Sequence, residues 1–173
     1  MSPSGRTDRR DGRLAARRDE VPGKQTAWLL SLAGFLPFGF AALFLLFVDF
    51  TNPWHSWIVD AARTYGAVIL SFLGGIRWGA GIGRHDAGRQ FALAVVPSLV
   101  GWLSLFMAPV FGTALLALAF AGQGAWDAFS TNGPPDPRLP AENRPLPHWM
   151  GRLRATLTFL VTGALVVIVL ALV

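Results

Sequence analysis

Residues 26–48 carry no charged side chain and are bounded by Lys24 and Asp49. A helix needs roughly 20 predominantly apolar residues to cross about 30 Å of hydrocarbon, so this run is long enough to span a bilayer. Composition extends the argument to the whole chain. Of its 173 residues, 53% are hydrophobic and 14% are charged, whereas a soluble domain carries about 25% charged residues. Many of the charges fall in the first 24 positions and in one later loop. Four further stretches are candidates for spans, giving 26–48, 61–82, 91–107, 109–127 and 150–173 in all. The expected fold is all-α, an integral membrane helical bundle of five transmembrane helices. The split at Pro109 is needed because an unbroken helix over 91–126 is far too long for one crossing. Proline also suits the first helical position and not the interior.

Basic residues set the orientation. The N-terminal tail holds Arg6, Arg9, Arg10, Arg13, Arg17, Arg18 and Lys24, while the segment 49–60 has no basic residue. Arg84 and Arg89 follow in the next loop, the turn at Ala108 carries no charge, and Arg138, Arg144, Arg152 and Arg154 come last. This alternation predicts the N-terminus inside and the C-terminus outside. Trp28, Trp78, Trp126 and Trp149 then fall near the inner interface, Trp54 and Trp57 near the outer one, and Trp102 lies deeper.

Residues 1–25 are polar and arginine-rich without apolar periodicity, which predicts a disordered cytoplasmic tail. Asp8, Asp11, Asp19 and Glu20 argue against a mitochondrial transit peptide, and the absence of an apolar run before Ala27 argues against a secretory signal. The bacterial inner membrane is the expected location, with the mitochondrial inner membrane as the alternative. Pro134, Pro135, Pro137, Pro140, Pro145 and Pro147 make the loop 130–147 a stiff cytoplasmic connector. Pro37 and Pro97 are expected to kink the first and third spans or to open local backbone in them.

The second span carries the most information. Ser71, Gly75, Gly79 and Gly83 recur every four residues, a small-residue stripe along which another helix can pack closely. Arg63, Leu70, Arg77 and Arg84 recur every seven on another face. Arg63 and Arg84, at the two ends, are expected to reach headgroups. Arg77 lies deeper, beside Trp78, where a guanidinium needs a partner or must snorkel. The best partner is Asp127, which ends the fourth span, with Gln123 one turn deeper on the same face and Arg154 at similar depth opening the fifth. Arg77, Trp78, Gln123, Asp127 and Arg154 therefore form a candidate polar cluster. Two arginines on one carboxylate leave positive charge suited to a lipid phosphate or another anion.

Little else points to chemistry. Without cysteine there is no disulfide, thiolate metal site or cysteine nucleophile. His55, His85 and His148 are read as loop residues that offer no haem ligation. No catalytic residue, metal site or cofactor is expected.

The run YGAVILSFLGGIRWG over 65–79, the Gln123 and Asp127 pair, and PHWMGRLRATLT over 147–158 resemble the domain-of-unknown-function 3429 family, the bacterial relatives of transmembrane protein 69. The resemblance covers about residues 25–173 and implies a multi-pass inner-membrane protein. In that family histidine is common where this chain has Arg77, so the resemblance carries no proton-transfer role to Arg77. The leading expectation is a non-enzymatic accessory or assembly factor that binds lipid or a larger inner-membrane complex, with no nucleic acid partner. The alternatives are a small-anion carrier or channel and, behind it, a membrane enzyme acting on a lipid or quinone headgroup.

Overall fold

The computed structural model describes residues 23–82, 87–131 and 148–173. These fold into α1 (Lys24–Phe47), α2 (Trp54–Gly81), α3 (Ala87–Leu105), α4 (Pro109–Thr131) and α5 (His148–Ala171), with no strand among the described residues. The chain divides into two units, Met1–Gly34 and Phe35–Val173. The described part of the first unit is Gly23 and the opening turns of α1. Gly23 takes φ +88, a left-handed conformation that favours glycine, and its carbonyl accepts the first helical bond from the Ala27 amide.

The second unit is built around Phe38, Leu70, Leu116, Leu165 and Ile168, all with no exposed surface. Phe38, on α1, tilts against Tyr65 of α2 at 5.1 Å between ring centroids and stands edge-on to Phe120 of α4 at 5.9 Å. Outside this core the surface is apolar. Phe40, Leu43, Leu46, Phe72, Phe111, Leu118, Phe159 and Leu170 are all exposed. So much outward apolar area is compatible with a lipid environment and not with water. Three helical stretches are long and apolar enough to cross a membrane: Lys24–Phe47, Pro109–Ala128 and Met150–Ala171. α2, which contains Asp60, Arg63 and Arg77, and the 19-residue α3 do not meet that measure.

α2 and α3 pack antiparallel at glycines. Gly101 lies against the Ala67 backbone, 3.1 Å from its Cα to where a Cβ would stand, and Gly74 lies against the Ala94 carbonyl. Further along, Gly81 meets Gln90 and Phe91. Ala67, Gly74 and Gly81 thus form the close seam, with a spacing of seven. The expected stripe is displaced from it by one residue. Gly75 and Gly79 have nothing within 4 Å of a Cβ position, and the Ser71 hydroxyl donates to Ala67 O of its own helix. Gly83 and Arg84 lie outside the described residues.

α2 also starts earlier than expected, at Trp54 instead of 61. Asn52 Oδ1 accepts from the Trp54 amide at 2.9 Å, and Pro53 precedes the first turn, so the Asn-Pro pair opens the helix. His55 is consequently not a solvated loop residue. It is buried, with its ring 4.7 Å from that of Phe50. At the other boundaries, Lys24 and Gln25 belong to α1, and Ser130 and Thr131 to α4; residues 1–22 and 132–147 lie outside the described set. Pro37 and Pro97 sit inside α1 and α3, and neither ends its helix.

The turn between α3 and α4 is held by a residue expected elsewhere. Arg63 does not reach headgroups; it is 4% exposed. Its Nη2 donates to Ser104 O at 2.6 Å and to Met107 O at 2.8 Å, and its Nη1 lies 3.3 Å from Asp60 Oδ1. The last carbonyls of a helix have no partner within the helix, and in an apolar medium each needs a donor. Arg63 supplies it from a neighbouring helix. The guanidinium fits because residue 112 is glycine, where a Cβ would collide with Ser104 O and Arg63 Nη2. Gly112→Val should lower stability in detergent by about 1–3 kcal/mol through overpacking, and so should Gly74→Leu. Gly79→Leu should stay within about 0.5 kcal/mol of the parent. Thermal unfolding of the three variants checks this, and equal losses for Gly74 and Gly79 would contradict the seam.

Candidate functional site

Three helices deliver one charged residue each to the same place. Arg77 comes from the last two turns of α2, Asp127 from the last turns of α4, and Arg154 from the second turn of α5. Arg77 Nη2 lies 2.8 Å from Asp127 Oδ1, and Arg154 Nη1 lies 2.7 Å from Asp127 Oδ2. Each carboxylate oxygen is thus engaged by a different guanidinium. The side chains are 13%, 8% and 10% exposed for Arg77, Asp127 and Arg154, so the cluster is largely withdrawn from its surroundings.

Local sequence explains the approach. Gly124, one turn before Asp127, receives Thr158 of α5 in the space a Cβ would fill. α4 and α5 run antiparallel, so a contact between 124 and 158 sets residue 154 beside residue 127. Any side chain at 124 would push the helices apart and draw Arg154 away from Asp127. On the other side, the Arg77 guanidinium carbon lies 4.9 Å from the centre of the Trp126 ring, a cation–π contact. Trp78 was the expected neighbour of Arg77. It is instead half exposed and stacked on Phe91 of α3 at 4.7 Å. The residue before Asp127, not the one after Arg77, supplies the aromatic face.

Gln123, one turn before Asp127 on the same face of α4, is 8% exposed, and its Nε2 has no hydrogen-bond partner among the described residues. The Thr162 hydroxyl, two turns beyond Arg154 on α5, is in the same condition. A buried polar group without a partner costs roughly 1–3 kcal/mol, so both are noteworthy in so apolar a structure.

The arrangement has defined chemical capacities. With both oxygens facing cations, Asp127 is poorly placed to act as a general base. Among the described residues, two guanidiniums against one carboxylate leave one formal positive charge, and arginine presents its donors in a fork that suits oxyanions. Among the described residues no three His, Cys, Asp or Glu side chains converge as a metal centre requires. His85 lies outside the described residues. The sequence put Arg63 at the headgroups and Trp126 at the inner interface, without the carbonyl contacts of the one or the cation–π contact of the other. The signal for Arg63 was available in the turn at 106–108, which has no side-chain donor for the α3 carbonyls.

Comparison with known proteins gives one family. The model of the family described as "Protein of unknown function (DUF3429)" matches residues 23–170. Transmembrane protein 69 of Xenopus tropicalis is 37% identical over 83 residues, which make up 46% of this chain and 32% of that protein. The chain therefore spans about a third of the length of that curated relative, at 32%. No solved structure matches.

Proposed function

The chain belongs to the DUF3429 family of proteins of unknown function, and from that premise we propose a five-span protein of the bacterial inner membrane, acting as an accessory or assembly factor that binds another membrane complex or lipid. The orientation proposed is N-terminus inside and C-terminus outside.

One observation carries this reading: both arginines of the cluster contact one carboxylate, so the charges inside the apolar region fasten helices together. The surface that a membrane partner would meet is the outer apolar one. Its exposed groups include Phe72 on α2, Trp102 on α3, Phe106 in the turn after α3, and Phe159 on α5. The same pairing supports counting α2 as a span. Hydropathy penalises α2 for Arg63 and Arg77, yet both side chains are buried and paired, so neither would meet lipid as a bare charge. α3 packs along α2 at glycine seams and crosses with it. Five crossings with basic residues in alternate loops, and so on one side, satisfy the charge bias of the loops.

The topology is tested with single cysteines, which the cysteine-free sequence makes unambiguous. In intact cells Thr51→Cys should react with a membrane-impermeant thiol reagent and Thr7→Cys should not; the reverse pattern contradicts the orientation. The accessory role is tested by isolation in mild detergent from native membranes. Co-migration with a larger membrane complex is expected, and a monodisperse monomer free of other proteins would overturn it.

A further inference from the structure

We propose that the Arg77–Asp127–Arg154 cluster binds a phosphate-bearing anion, with Arg77 and Arg154 holding phosphate oxygens and Gln123 donating from Nε2. Three independent features converge on this ligand. The first is charge. Among the described residues Asp127 neutralises one of the two guanidiniums, and the excess positive charge in a largely buried place calls for an anion. Each guanidinium carries five N–H donors, so one bond to Asp127 leaves donors to offer.

The second feature is the buried amide. Gln123 lies one turn along the same face of α4 as Asp127, more than nine-tenths buried, with an Nε2 that no described group accepts from. A carboxamide N–H₂ one turn along α4 from the carboxylate that both arginines contact is a third donor of the kind an oxyanion needs. Carboxylate chemistry in the cluster is already filled by Asp127, whereas a phosphate can bridge two separated guanidiniums through different oxygens.

The third is depth. Asp127 is the penultimate residue of the apolar stretch Pro109–Ala128, and Arg154 lies four residues into Met150–Ala171. The cluster therefore sits at the end of two apolar stretches, where lipid phosphates lie, and the 13% and 10% exposure of the arginines leaves them an edge that can be approached. Two sources present this chemistry, a lipid headgroup and free phosphate. The inference rests on the proposed membrane arrangement only for that depth. Binding is read on purified protein, so its failure leaves the accessory role, which is read by co-isolation, standing.

The test is native mass spectrometry of the full chain in neutral detergent with phosphatidylglycerol, with diacylglycerol of the same tails, and with inorganic phosphate as competitor. Phosphatidylglycerol should bind and diacylglycerol should not. Arg77→Gln and Arg154→Gln each remove the excess charge yet leave Asp127 paired, and should cut occupancy about tenfold or more. Arg77→Lys should retain most of it. Asp127→Asn increases the excess charge and should raise occupancy, an effect opposite to that of a purely structural fastening. Competition by inorganic phosphate identifies a free-anion site, and its failure to compete identifies a headgroup site. Equal binding of diacylglycerol, unchanged occupancy in both glutamine variants, or a fall in Asp127→Asn matching theirs overturns the proposal. Should Asp127→Asn fail to fold, the two arginine variants decide alone.

Discussion

The carboxylate of Asp127, held between guanidiniums from two other helices, is the contact on which the arrangement of α2, α4 and α5 depends. In an apolar setting helices gain little from burying apolar surface against each other, since lipid is as apolar as a neighbouring leucine. Close packing and polar pairing must supply the specificity. Here the two coincide. Thr158 closes on Gly124, and the same approach carries Arg154 onto Asp127. A buried ion pair is expensive to desolvate and strongly destabilising to break, so it discriminates the correct helix register from its neighbours better than it raises overall stability.

The opposite end of the second unit uses arginine differently. Arg63 pairs with Asp60 at the helix surface, but its closer contacts are to the carbonyls of Ser104 and Met107. One arginine thus satisfies the end of α3, and two others satisfy one acid. In both places a glycine makes the room: Gly112 under Arg63 and Gly124 before Asp127. Arg63 and Arg77, fourteen residues apart on α2, lie on one face of that helix, and α2 joins the two polar ends through the apolar core around Leu70.

Much of this was legible in the sequence, for reasons that differ residue by residue. The helices could be read because charge-free runs are long and their ends are marked, as by Pro109 for α4. Arg77, Asp127 and Arg154 stood out because each interrupts or borders an apolar run, and a charge there requires an answer. Gly75 and Gly79 misled because periodicity identifies a stripe without saying which neighbour it faces; the seam runs through Gly74, one residue away and about 100° around the helix. His55 and the start of α2 were missed because the segment 49–60, bounded by two aspartates and without a basic residue, reads as an outer loop, although Asn52 turns the chain into the helix at Trp54. Arg63 was misplaced because its partners are backbone carbonyls, which have no residue identity to read.

The central claim, that Asp127 couples α4 to α2 and α5 through charge, is tested most directly by a double-mutant cycle on thermal unfolding with Asp127→Asn and Arg154→Gln. The predicted coupling free energy is about 1–3 kcal/mol, with the double variant less destabilised than the sum of the single ones. Additivity within about 0.5 kcal/mol would contradict it and leave α4 and α5 held by the packing of Thr158 on Gly124 alone.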